Sequence, residues 1–326
     1  MNVRILLSLL MVLVMAGCGN AAGNKIDKSK DLKKGATSGM KTYHMGRFAI
    51  DVPAEFKLEV QQQKIRYAEV SDFLWKNSNH RGKDREDLWQ QKIKLINKKP
   101  KPVNNNKTII EERMLQGLGK WAKAVVYHGN YLVPELIYWT LLVDYGDVAV
   151  WLTLDGTNNE MTINNFTNIL SSYHYGSSQN NKGNYSLRYG VISLPYLEQE
   201  STYARFEGHP LIKKLEITMN ETHEEESKKD GLLGRLAASL MTGFASGVDI
   251  DKVRTGKRTI AGMKGEETIL RMDDGMKKRL NFIWRYAGDK DSGNRPKIVF
   301  DMESELGQEK EKIKLWDAML DSMRAQ

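Results

Sequence analysis

Phe48-Ala49-Ile50-Asp51-Val52-Pro53 reads as an alternating strand brought to a stop by proline, which cannot donate to a sheet ladder. Tyr189-Gly190-Val191-Ile192-Ser193-Leu194-Pro195 has the same character in the second half of the chain. Reading outward from both copies gives one order of elements twice. A second strand follows each, Lys64 to Val70 in the first copy and Leu215 to Met219 in the second. A helix comes next. Leu88, Trp89, Ile93 and Ile96 share one face between Asp84 and Ile96, with Asp84 as N-cap, and Leu233, Leu236, Leu240 and Phe244 repeat the spacing. Glu111 to Gly119 and Lys257 to Gly265 then read as hairpin arms with glycines at the turn, running on into strands Trp121 to Tyr127 and Glu267 to Met272. Two more strands follow in each copy, Leu136 to Asp144 and Val148 to Leu154, then Leu280 to Tyr286 and Lys297 to Met302. A short helix closes each, with Phe166, Ile169 and Leu170 inward in one and Trp316, Met319 and Leu320 in the other.

Short turns between neighbouring strands predict mainly antiparallel sheets, and helices with one apolar stripe must cover them. The fold class is therefore α+β, as two similar tandem domains. The Ser/Asn/Gly run sets the boundary: residues 43–176 form the first domain, 177–184 the linker and 185–326 the second domain. Length agrees, since 326 residues exceed a usual domain of roughly 100–200. With 40% hydrophobic and 28% charged residues, the composition excludes both a multi-span membrane protein and a disordered chain. The net charge of +8 is too small a surplus to indicate a nucleic-acid partner unless it clusters.

The amino terminus carries the most specific signal. Arg4 precedes the apolar stretch Ile5 to Met15, which is too short to span a bilayer at about 20 residues but suits a signal peptide, residues 1–17. Met15-Ala16-Gly17-Cys18 places small residues before the chain's single cysteine. That pattern resembles the bacterial lipoprotein signal, which implies lipid attachment at Cys18 and a membrane anchor facing the periplasm. Gly19 after the cysteine favours the outer membrane in that resemblance. Residues 18–42 read as a flexible tether with a reach of roughly 25–30 Å. One cysteine also excludes an intramolecular disulfide and Cys-x-x-Cys redox chemistry.

Catalytic motifs fail one by one. Gly117-Leu118-Gly119-Lys120-Trp121-Ala122 has dinucleotide-loop spacing, but strand residues follow where a helix is needed, so it reads as a hairpin turn. Gly243-Phe244-Ala245-Ser246-Gly247 has alanine at the nucleophile position of a lipase elbow. His223 stands beside Glu224, Glu225 and Glu226 without a second histidine near, which reads as a solvated loop and no metal site. No cofactor is expected, and the chain reads as a binding protein with no reaction of its own. Two segments suit contact with a partner: the basic run Lys92 to Lys107, and Gly231 to Val248, apolar with Arg235 its one charge. Trp75 and Tyr196 are candidate anchors, with packing inside their own domain the expected fate of both.

The lipoprotein signal, the opening Tyr43-His44-Met45-Gly46-Arg47-Phe48-Ala49-Ile50-Asp51-Val52-Pro53 and the later Gly256-Lys257-Arg258-Thr259-Ile260-Ala261-Gly262-Met263-Lys264-Gly265-Glu266-Glu267 together resemble the immunity proteins that neutralise type VI secretion lipase effectors. The resemblance implies a periplasmic two-domain lipoprotein whose partner is a lipase or phospholipase, blocked from its substrate by the bound inhibitor. It assigns no contact residue here. The alternative is an envelope ligand-binding or assembly lipoprotein, which a large apolar pocket in one half would mark; an unrecognised hydrolase would need perturbed carboxylates clustered in a pocket.

Overall fold

The computed structural model describes residues 39–326 apart from 77, 104–105, 158, 177–182, 224–230, 237–248 and 274. Strands β1 (Met40–Met45), β2 (Phe48–Pro53), β3 (Lys57–Ile65) and β4 (Ala68–Leu74) come first. Helix α1 (Arg81–Asn97) follows, then β5 (Ile109–Met114), β6 (Trp121–His128), β7 (Ile137–Asp144), β8 (Val148–Asp155) and helix α2 (Glu160–Ser171). The short strands β9 (Tyr173–Tyr175), β10 (Tyr185–Ser186) and β11 (Gly190–Ile192) lead to β12 (Ser201–Glu207) and β13 (Lys214–Asn220). A helical stretch, α3, is described over 232–236. Then come β14 (Asp249–Ile260), β15 (Met263–Asp273), β16 (Lys278–Tyr286), β17 (Lys297–Glu305), helix α4 (Glu309–Ser322) and β18 (Arg324–Ala325).

Three sequence expectations change. Residues 40–42, assigned to the tether, belong to β1, where Met40 to Met45 pair with β2. Lys64 to Val70 is a hairpin and not one strand: Arg66 and Tyr67 both take positive φ, 47° and 70°, and turn β3 back into β4. Two left-handed residues are the mark of the tight hairpin turn that suits the twist of paired strands. Asp84 is not the N-cap of α1. His80 holds that position without a side-chain hydrogen bond, and Asp84 lies in the first turn, where its charge meets the positive end of the helix dipole.

Twelve strands form one sheet in the order β14-β15-β16-β17-β13-β12-β3-β4-β8-β7-β6-β5. All the pairs in it are antiparallel. Outward from the central β3–β12 pair the order is β3-β4-β8-β7-β6-β5 on one side and β12-β13-β17-β16-β15-β14 on the other. Strand alternation assigns the faces. In β6, Ala124 and Val126 join the core that holds Phe166, Ile169 and Leu170 of α2, while Val125 and Tyr127 join Trp89, Ile93 and Ile96 of α1. A further core gathers Trp316, Met319 and Leu320 of α4 against β15 to β17. Burying each such large apolar side chain contributes on the order of 1.5–3 kcal/mol.

The opening strands pack across the halves. Met45, Phe48, Ile50 and Val52 of β1 and β2 sit in the α4 core, whereas Tyr185, Leu187 and Ile192, late in sequence, sit in the α2 core. Strand β18 pairs with β2 through Arg324↔Ala49 and Ala325↔Phe48. Gln326 fastens the crossing: its side chain meets His44 Nδ1 at 2.9 Å, accepts from Ser186 Oγ at 2.8 Å and donates to the Phe48 carbonyl at 2.6 Å.

Candidate partner-binding groove

The groove begins with the Arg66–Tyr67 turn. Although β3 and β4 are neighbours in the sheet, they share only the pairs Lys64↔Glu69 and Ile65↔Ala68. Beyond these β3 follows β12, paired from Lys57 to Lys64, and β4 follows β8, paired from Glu69 to Leu74. The sheet therefore opens between two strands joined at one end. A groove of about 610 Å³ occupies that opening. Gln61, Gln62 and Gln63 line one side and Val70 and Ser71 the other, with Tyr203 and Thr153 in the floor and Leu88, Lys92 and Leu95 of α1 as a wall.

Its chemistry is amphipathic, with Lys64 and Lys92 set against Glu69. The Lys92 ammonium lies 5.6 Å from the centre of the Trp151 ring, a cation–π arrangement, and Trp151 stacks on Trp89 at 6.2 Å. Burial pushes Lys92 below the usual lysine value, with Glu69 pulling the other way. Tyr203 donates to Glu216 at 2.7 Å, and burial together with that bond pushes its phenol up to about 12. Burial acts upward on Glu216 as well, but hydrogen bonds from Lys214, at 2.6 Å, and from Tyr203 outweigh it and hold the carboxyl below the ordinary glutamate value. Leu95 remains 60% exposed on the wall. The described lining holds no histidine or cysteine.

Other candidate places are smaller or already engaged. The pocket beside Arg47, Tyr185 and Glu200 measures about 20 Å³, room for one water. His223 meets the carboxylates of Glu221 and Asp291, the three donor atoms falling within 4.8 Å of one another, and the Glu224–Glu226 run lies outside the described residues. Tyr196 Oη and the Gln199 amide both donate to Glu221, and His223 Nδ1 lies 3.1 Å from Asp291, so the cluster ties the end of β13 to two loops. Neither proposed anchor is free: Tyr196 makes that bond, and Trp75 packs edge-on to Phe73 with its indole N–H 3.3 Å from Asp144. Gly117 and Gly119 lie in the β5–β6 turn, as the hairpin reading expects. Of the apolar segment Gly231 to Val248, the described part is helical at 232–236, with the Leu233 amide donating to Glu266. Cys18 and the Gly243–Gly247 frame lie outside the described residues. Sequence reasoning missed the groove because the turn that creates it lacks glycine, asparagine and aspartate, leaving the polar run Gln61-Gln62-Gln63 as its one written trace.

Residues 181–326 match the family model described as Tle cognate immunity protein 4 C-terminal domain. The fold is that of solved immunity proteins. The apo structure of TplEi, an immunity protein of the type VI secretion system of Pseudomonas aeruginosa, aligns with a TM-score of 0.68 at 15% identity, covering 89% of this chain and 98% of that one. The Tle4–Tli4 complex gives 0.68 at 15% identity over 88% and 97% of the two chains. TplEi bound to an "L" peptide gives 0.65 at 15% over 88% and 98%. No curated protein matches the chain in sequence.

Proposed function

From the premise that residues 181–326 belong to the Tle cognate immunity protein 4 C-terminal family, we propose that this chain is an immunity protein that binds a lipase effector of a type VI secretion system and holds it inactive. The observation that carries the reading is the family match, joined to a shared fold over nearly all of the described chain. The open groove supports it. An inhibitor needs surface complementarity over a contact of about 1,200–2,000 Å² in total, and a recessed surface lets part of another protein enter it. A groove of about 610 Å³ walled by α1 suits that use.

In this reading inhibition works by exclusion: the bound chain covers the lipase's substrate entrance or holds its lid. The proposal extends to the anchor. Lipidation at Cys18 would retain the protein on the periplasmic side of the outer membrane, where a lipase directed at the envelope acts. It extends also to a tandem origin, supported by the matching strand orders on either side of β3 and β12. The test adds this protein in steps to a purified type VI secretion lipase effector acting on short-chain phospholipid. Activity should fall in proportion to added protein and vanish near equimolar ratio. Full activity at molar excess would end the inhibitor reading.

A further inference from the structure

Where β3 and β4 separate, the sheet has two facing edges without ladder partners. A two-residue hairpin makes its flanking residues, Ile65 and Ala68, the hydrogen-bonded pair, and backbone direction then alternates along each strand. Lys64 and Gln62 accordingly turn their backbone groups toward Ser201 and Tyr203 of β12, and Glu69 and Ser71 turn theirs toward Thr153 and Trp151 of β8. Gln61 and Gln63 on β3, and Val70 and Asp72 on β4, point theirs into the opening. Resting on the immunity reading, we infer that this opening receives an extended segment of the lipase partner, which adds to the β3 or β4 edge as a further strand.

Three features select that occupant. Edges without ladder partners are templates for pairing, and strand addition is a general mode of peptide capture in which the main chain supplies affinity. The space lies between the two edges, lined by Gln61 and Gln63 on one and Val70 on the other. Its side chains are held back from it: Gln61 donates to Gln63 at 2.7 Å, and Gln63 donates to the Ser186 carbonyl at 2.6 Å, so both glutamines are committed within the protein.

Amide hydrogen exchange on the full chain, free and with the lipase, reads the four edge amides directly. They should exchange rapidly alone and slow by roughly tenfold or more in the complex. Gln61→Pro removes an edge donor without touching the β12 ladder and should weaken the complex about tenfold, several-fold more than Gln61→Ala, which trims the same side chain but keeps the amide. Edge amides that stay fast in a complex that forms, with protection on α1 alone, would overturn strand addition and leave the inhibitor reading standing. Slow exchange in the free chain would overturn it too, by showing the edges already filled. Failure of any complex to form defeats the inhibitor reading itself, so the two failures are distinct.

Discussion

Arg47 is 4% exposed and Glu200 beside it 8%, and they meet through two hydrogen bonds of 2.7 and 2.5 Å. Burial raises the Glu200 carboxyl while the bonds from Arg47 act against it. Arg47 also donates to the carbonyls of Gly183 and Leu194, so one side chain stitches the end of β1 to the chain that follows α2. Removing one member of a buried pair strands the other charge, and Arg47→Ala should cost about 3–5 kcal/mol in urea unfolding. Adding Glu200→Gln to that variant should restore part of the loss. Glu303 behaves oppositely. Hydrogen bonds from Lys277 and Lys213, at 2.7 and 2.9 Å, lower its carboxyl from 4.5 to about 2. A depressed folded value means its contribution is present above the unfolded value of 4.5 and fades as pH falls toward about 2. Melting temperatures across that window should drop less steeply for Glu303→Gln than for the natural chain. At this scale the sequence spoke clearly about apolar residues and poorly about polar ones. Phe166, Ile169, Leu170, Trp316, Met319 and Leu320 are all buried as their spacing expects. Nothing in spacing links Arg47 to Glu200, because their meeting depends on how the chain crosses.

The β5–β6 turn shows what an element asks of its glycines. Gly119 sits at φ +56°, and a Cβ there would lie 2.6 Å from the Asp144 carbonyl oxygen and 2.8 Å from a Val143 methyl. Gly117, at φ +79°, has nothing within 4 Å. Gly117→Ala should therefore cost about 1–2 kcal/mol of left-handed strain, and Gly119→Ala a further ~1–3 kcal/mol because the β7 backbone must move; thermal unfolding of both variants checks the order. Equal losses would contradict the close approach. Such turns were legible because glycine marks them. The Arg66–Tyr67 turn was not, since its left-handed residues carry ordinary side chains held there by the strands on either side. Strand β12 escaped notice for a related reason: Thr202, Ala204 and Phe206 alternate inward, but threonine and alanine carry too little apolar weight to stand out in the sequence.

Exchange of opening strands makes each core depend on the other half. Residues 39–183 alone lack Tyr185, Leu187 and Ile192 from the α2 core, and 184–326 alone lack Met45, Phe48, Ile50 and Val52 from the α4 core. Neither fragment should melt cooperatively by itself, and mixing the two should restore a single cooperative transition in circular dichroism. Two independently folding fragments would contradict the shared cores. The sequence suggested paired halves but could not reveal this exchange, because pattern along a chain records which face of a strand is apolar and not which core receives it. The most direct test of the groove as the place where the lipase is held is a calorimetric comparison of Leu95→Arg with Met161→Arg. Both residues are exposed, 60% and 80%, one on the α1 wall and the other on α2. Leu95→Arg should weaken lipase binding by about tenfold or more while Met161→Arg leaves it unchanged; unaltered binding by Leu95→Arg would contradict the groove as the seat of the partner.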